Sequence, residues 1–273
     1  MTERGLDEDG TILREGALDR VPAAFVPVVD AARTRITTTF GGPRLHGARL
    51  HSAYLYGSIP RGTAVPGVSD LDLLIVFRDE PAAADRAAAD ALEAALGDAY
   101  PQITGVGIVL GSVRGTLSEL ERYDGGFFVA CLCTPLLGAD LAAQLPRYRP
   151  TALLARETNG DLALMLPRWR AVATEAATDT DRRTLSRGVA RRLVRTGFTL
   201  IMPRWGGWTS DLDRSAELFA HYYPERAGQM RRAAAIARTP SADPAVLTML
   251  IDDLGPWLAA EYTAVHGEKA PRP

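Results

Sequence analysis

The sequence predicts an α/β domain built on a mixed, twisted sheet, followed by an all-helical domain. Three observations carry this expectation. Up to Leu145, segments with helical spacing of apolar residues alternate with strand-like apolar runs, in the order α-β-turn-β-α-β-α-β. After "PRYRP" the pattern becomes helical and stays so. Between the first two strands lies "GSIPRGTAVPGVSDLD", in which Asp70 and Asp72 enter a strongly apolar run directly behind a Gly-Ser turn. The expected domains are residues 1–145 and 146–273.

The elements follow in order. Residues 17–40 carry apolar positions at helical spacing despite Pro22 and Pro27, and "GGPRLHG" ends that helix. "ARLHSAYLYG" reads as a strand over 48–56, and "SDLDLLIVF" as a second one. "PAAADRAAADALEAALGDAY" is an alanine-rich helix with proline at its start, and Asp98 is its solvated end. "ITGVGIVLGSV" is a third strand over 103–113, "GTLSELERY" a short helix, and "GGFFVACLC" a fourth strand. In the second domain the helical pattern breaks at "MPRWGGWTSD" and "RTPSADP". The tail "GEKAPRP" has the composition of a disordered end.

Composition narrows the chemistry. Hydrophobic residues make up 47% and charged residues 23% of the 273 residues, as expected of a globular protein. The formal net charge of −2 and the absence of lysine clusters argue against a nucleic-acid partner. The charged N-terminus lacks a signal-like apolar core and no later stretch approaches a membrane span, so a cytoplasmic protein without a membrane partner is expected. The single lysine, Lys269, lies in the tail, which removes a Walker A loop and leaves little scope for Schiff-base catalysis. His46, His51, His221 and His266 show no metal-ligand spacing. Cys131 and Cys133 stand at i and i+2 on the expected fourth strand, a poor geometry for a disulfide, so they read as core.

The stretch from Leu55 to Phe77 is where chemistry concentrates. Side chains alternate across a strand, so Asp70 and Asp72 share a face, continued by Leu74 and Val76, while Leu71, Leu73 and Ile75 point the other way. Two carboxylates this close repel each other, and a bound Mg²⁺ relieves the repulsion. Gly57 allows backbone to approach a phosphate, and the Ser58 hydroxyl and neighbouring N–H groups can donate to phosphate oxygens, with charge added by Arg61. Phosphate donors on one strand end and metal-holding acids on the next make a candidate triphosphate site.

Gly57-Ser58, Arg61-Gly62 and Ser69-Asp70-Leu71-Asp72-Leu73 resemble the signature of the DNA polymerase β-like nucleotidyltransferase superfamily, and most of all its small bacterial members such as the aminoglycoside adenylyltransferases. The motif covers about 20 residues, and the order of elements agrees over about 100. The resemblance implies that Gly57, Ser58, Arg61 and Ser69 bind the nucleotide, that Asp70 and Asp72 are catalytic and bind Mg²⁺, and that ATP or another NTP is the co-substrate. It also implies a third carboxylate on the next-but-one strand. Here that strand holds no acid, and Gly107 falls near the expected position. Glu119, Glu121 and Asp124 follow the strand without taking that place.

In the second domain, Arg187, Arg191 and Arg195 recur at i, i+4, i+8 along one helix face with Arg192 beside them. Such a face is either solvated or a contact for phosphate or an acidic substrate. A helix is expected to open at Ser210, with Asp213 three residues on. The Gly206-Gly207 turn before it makes Trp208, Asp211 and Asp213 further substrate-site candidates, the two acids as replacements for the missing carboxylate. The expected function is transfer of a nucleoside monophosphate from ATP or another NTP to a hydroxyl of a small molecule, with release of pyrophosphate. The rival readings are a homologue that lost this activity and binds a ligand or runs other chemistry in the same cleft, and an enzyme that modifies protein or RNA. No motif names the acceptor or sets the oligomeric state.

Overall fold

The computed structural model describes residues 4–42, 49–269 and 271. Chain compactness divides them into two units, Leu13–Tyr148 and a discontinuous one formed by the residues up to Ile12 together with those from Arg149 onward.

The first unit is α/β. Helix α1 (Val26–Phe40) is shorter than the expected 17–40, and two 3₁₀ turns, Leu18–Arg20 and Ala23–Phe25, precede it. Pro22 and Pro27 explain the difference, since proline has no N–H to donate and fits a helix best in its first turn, where Pro27 stands. Then come β1 (Leu50–Tyr56), α2 (Ser58–Arg61), β2 (Leu71–Phe77), α3 (Ala83–Ala99), β3 (Val106–Ser112), α4 (Val113–Thr116), α5 (Gly125–Phe127) and β4 (Thr134–Gly138). The sheet order is β3-β2-β1-β4. β2 and β3 run parallel, and β1 pairs antiparallel with β2 and with β4, so the sheet is mixed.

β2 is apolar because both of its faces are covered. Leu71, Leu73, Ile75 and Phe77 join Val28, Ala32 and Ile36 of α1 and Ala89, Leu92 and Leu96 of α3 in the larger core. Leu74 and Val76 join Tyr54, Val129, Cys133 and Leu141 in a smaller core on the opposite face. Burying each large aliphatic side chain contributes roughly 1.5–3 kcal/mol, so β2 anchors both layers.

Two elements differ from expectation. "GGFFVACLC" is helical, with α5 followed by a π turn, Phe128–Leu132, and the fourth strand begins after it at Thr134. A nine-residue apolar run reads alike as a buried strand or a buried helical segment. Cys131 and Cys133 are therefore not strand neighbours, yet both are buried and free. Burial pushes the Cys131 thiol up to about 12 and that of Cys133 well above the ordinary range. The helix expected over "GTLSELERY" stops at Thr116, and turns follow.

The second unit is helical: α6 (Ala152–Asn159), α7 (Leu162–Glu175), α8 (Asp179–Trp205), α9 (Leu212–Tyr222), α10 (Ala227–Arg238), α11 (Pro244–Thr248), a π turn (Met249–Leu254) and α12 (Gly255–His266). α8 is its spine. Thr178 caps it, accepting from the Asp181 N–H while Asp181 accepts in return. Its second half, including Leu193, Val194, Phe198, Leu200 and Ile201, is buried. The N-terminal segment is tied in by a hydrogen bond from Trp208 N–H to the Arg4 carbonyl, 2.8 Å. Among the described residues, no helix is long and apolar enough to cross a membrane.

One side chain holds the start of α3 and tests this packing. Asp85, 6% exposed, accepts both guanidinium N–H groups of Arg49 at 2.9 and 2.8 Å, and the Ala82 N–H at 2.7 Å. Asp85→Ala removes a helix cap and a charge-assisted pair, and should cost about 2 kcal/mol in urea unfolding. Asp90→Ala, on the exposed side of the same helix, should change stability by no more than about 0.5 kcal/mol.

Candidate functional site

The site is built where β1 ends and β2 begins. Tyr56, the last residue of β1, is paired with Asp72 on β2. Gly57 then turns the chain with φ 83° and ψ −152°, a backbone state that only glycine adopts readily. A side chain at Gly57 is excluded for a second reason. A Cβ there would lie 2.5 Å from Oδ2 of Asp72. The turn is thus laid directly against the carboxylate, a contact that brings the Gly-Ser pair and the second aspartate together.

On the other side of Asp72 stands β3. Asp72 is in register with Gly107, and a Cβ at Gly107 would meet Oδ1 of Asp72 at 3.5 Å, an ordinary contact, with no other close neighbour. Gly107 therefore lies beside Asp72, with room for a small side chain. Asp70 is half-buried, one residue ahead of β2. The flanking loop is pinned from both directions. Ser69 is 8% exposed, its hydroxyl accepts from Val65 N–H at 2.9 Å, and its carbonyl accepts from Thr104 N–H at 3.0 Å.

Ser58 opens the single turn of α2, and Gly62 closes it in the left-handed conformation. Ser58 is half-buried, and its carbonyl accepts from Thr63 N–H at 3.1 Å. Arg61 points back to the N-terminal arm of the unit and pairs with Glu15 at 3.6 Å. That arm is fastened by Glu15 N–H to the Cys131 carbonyl and by Ala17 N–H to the Pro60 carbonyl, each 2.9 Å.

β3 is an edge strand, and α3 fixes it at the residue after Gly107. Ile108 N–H donates to Oε1 of Glu93 at 2.8 Å, and Arg86 donates to the Ile108 carbonyl at 2.6 Å and to Glu93 at 2.8 Å. Charge-assisted bonds of this kind are the stronger class. Neither this clamp nor Glu15 was found from sequence, because each joins residues whose proximity no local spacing signals.

The donor set that the site offers is hard oxygen. Among the described residues no group of three or more His, Cys, Asp and Glu side chains is placed to hold a metal ion. Two carboxylates suit Mg²⁺ when ligand phosphates complete its oxygen shell. The other acids considered from sequence have local partners. Glu119 pairs with Arg122, and the Glu121 carboxylate accepts from Gly125 N–H at 3.3 Å. The Asp124 backbone is tied into α5, its carbonyl accepting from Phe128 N–H at 2.8 Å.

The helical unit holds the remaining candidates. Asp211 caps α9 by accepting from Arg214 N–H at 2.7 Å, so that helix starts one residue later than the Ser210 opening expected. Asp213 pairs with Arg238 of α10. Trp208 packs edge-on against Phe198 with ring centres 5.6 Å apart. On α8, Arg187 and Arg191 are half-buried, Arg195 is exposed, and Arg192 pairs with Asp161. His51 and His266 contact Ser52 and the Leu200 carbonyl, and His46 lies outside the described residues.

Comparison with known proteins bears on the fold around this site. Residues 45–102 match the family model for a nucleotidyltransferase domain, a span that runs from before β1 through α3 and stops short of β3. No curated protein matches the chain by sequence. A crystal structure of spectinomycin adenyltransferase from Enterococcus faecialis, with ATP and spectinomycin, is similar in fold, with a TM-score of 0.50 over 87% of this chain and 98% of that one. The two are 12% identical, so the likeness is one of fold.

The two glycines that flank Asp72 should respond differently to alanine. Gly57→Ala forces a strained backbone and pushes the Asp72 carboxylate aside, and should cost about 1–3 kcal/mol in urea unfolding. Gly107→Ala meets only an ordinary contact and should stay within about 1 kcal/mol of the parent, apart from β-propensity effects that favour alanine slightly. Equal losses would show that the backbone at Gly57 is not the constraint described.

Proposed function

The chain carries a nucleotidyltransferase domain of the DNA polymerase β-like superfamily, and from that premise we propose that it transfers a nucleoside monophosphate from ATP or another NTP to an oxygen of a small-molecule acceptor, releasing pyrophosphate. The observation that carries this reading is the packing of Gly57 against the Asp72 carboxylate. It sets a turn that can admit phosphate beside an acid that can hold the accompanying cation.

In this reading each residue has a role. Gly57 keeps the backbone bare so that a phosphate can approach it closely. The Ser58 hydroxyl donates to a phosphate oxygen. Arg61, tied to Glu15, holds α2 and adds positive charge near the turn. Ser69 keeps the loop before β2 in place, and thereby Asp70. Asp70 and Asp72 would hold Mg²⁺, which when bound neutralises the charge of phosphates and carboxylates and makes the α-phosphorus easier to attack. Positioning and neutralisation of this kind supply most of the catalysis in such transfers. Arg191 and Arg195 are candidates for an anionic group on a substrate, since guanidinium binds such groups in a bidentate manner. Asp211, Asp213 and Trp208 keep their helix cap, ion pair and ring contact, roles within the helical unit.

One observation favours a second reading, in which the chain binds nucleotide without transferring it. Gly107 puts no acid beside Asp72, and a general base usually contributes about 10²–10⁴-fold.

Asp70→Asn and Asp72→Asn test the shared premise of both readings. Each should abolish Mg²⁺-dependent ATP binding in titration calorimetry while leaving circular dichroism and the urea midpoint close to those of the parent. ATP affinity equal to the parent's in both variants would reject the site.

A further inference from the structure

We infer that the acceptor's attacking atom is an oxygen already ionised at neutral pH, that of a carboxylate or a phosphate, rather than an alcohol hydroxyl. The inference rests on the nucleotidyl-transfer reading and deepens it.

The surroundings of Asp72 carry the argument. Its carboxylate has Gly57 on one side and Gly107 on the other, and a Cβ at Gly107 would have no neighbour within 4 Å but Asp72 Oδ1. If Asp70 and Asp72 hold the cation, neither is available to take a proton. Among the described residues of the α/β unit, β3 itself carries no acid, and the following groups are engaged elsewhere. His51 lies near the opposite end of β1 and contacts Ser52. Glu15 is paired with Arg61, and Glu93 with Arg86 and Ile108 N–H. Glu80 accepts from the Ser112 hydroxyl, at the far end of β3 from Gly107. Cys131 and Cys133 are buried.

An alcohol holds its proton about as tightly as water does, near pKa 15.7, and must lose it during attack. A carboxylate ionises near 4 and a phosphate monoester has its second ionisation near 6, so either meets the α-phosphorus with a free electron pair and no proton to remove. The missing acid also favours an anion for a second reason. A carboxylate at position 107 would stand beside Asp72 and repel an anionic acceptor, and glycine there does not. The position of Gly107 is thus a place where a negatively charged group meets no carboxylate but those of the site itself.

The step balances without a proton. The acceptor oxygen forms a bond to the α-phosphorus, the bond from that phosphorus to the bridging oxygen breaks, and pyrophosphate leaves with the electron pair. A carboxylate gives an acyl adenylate and a phosphate gives a phosphoanhydride, and in both cases the total charge of the reactants equals that of the products.

Two matched sets of probes distinguish the chemistry: ethanolamine, glycine and phosphoethanolamine; and benzyl alcohol, benzoate and phenyl phosphate. No anion in either set carries a hydroxyl. Pyrophosphate release with ATP and Mg²⁺ should be at least about tenfold faster with an anion than with its alcohol. Hydroxylamine should trap a hydroxamate if the carboxylate is the acceptor, and none if the phosphate is. Gly107→Glu should lower the anion rates and raise those of the alcohols by about 10²-fold, toward the contribution of a base. Gly107→Ala should keep the preference for anions. Release as fast with the alcohols as with the anions would overturn the inference and leave nucleotidyl transfer standing. Release from no probe, by parent or Gly107→Glu, while calorimetry shows ATP bound, would overturn both.

Discussion

The register of β1 against β2 is the constraint on which the rest depends. It opposes Tyr56 to Asp72, and so lays the next residue, Gly57, on the carboxylate. A slip of one residue would turn every β2 side chain to the other face. Leu71, Leu73 and Ile75 would then leave the α1–α3 side, and Asp72 would leave the turn. Two separate cores oppose that slip, because β2 contributes to both. The site is therefore held by hydrophobic burial that never touches it.

The same economy shows at the sheet's edges. An edge strand exposes unpaired backbone groups that invite pairing with other chains. β3 meets this hazard with side chains: Glu93 and Arg86 take up the outward N–H and C=O of Ile108. β4, the other edge, carries Pro135, a residue that a central strand would not accept. The clamp on β3 also fixes the backbone next to Gly107, so the open side of Asp72 has a firm floor even though its residue has no side chain.

Much of this was legible in the sequence, and the reasons are local. β1, the Gly-Ser turn, β2 and α3 follow within one short stretch, where strand alternation and helical spacing speak clearly. The face that Asp72 shares with Leu74 and Val76 follows from counting along one strand, whereas the register that sets Gly107 beside Asp72 is a matter of pairing. Where the sequence misled, two structures shared one pattern. The run "FFVACLC" is apolar enough for a strand or a buried helix, and the true strand "TPLLG" is short and contains proline. Asp211 rather than Ser210 caps α9, a choice between adjacent good caps. Glu15 with Arg61, and Arg86 with Glu93 at Ile108, are products of tertiary packing and leave no periodic trace.

The membership of the first dozen residues in the helical unit bears on how the chain comes off the ribosome. Residues 13–148 form a contiguous unit and can fold as soon as they have emerged. The segment before them cannot. It is made before them, yet the Trp208 N–H that binds the Arg4 carbonyl is synthesised about two hundred residues later. Until then the leading strand of peptide must wait, attached to a finished domain and without its docking place. Closure of the helical unit is thus a late event, in which an early segment meets a partner made much later.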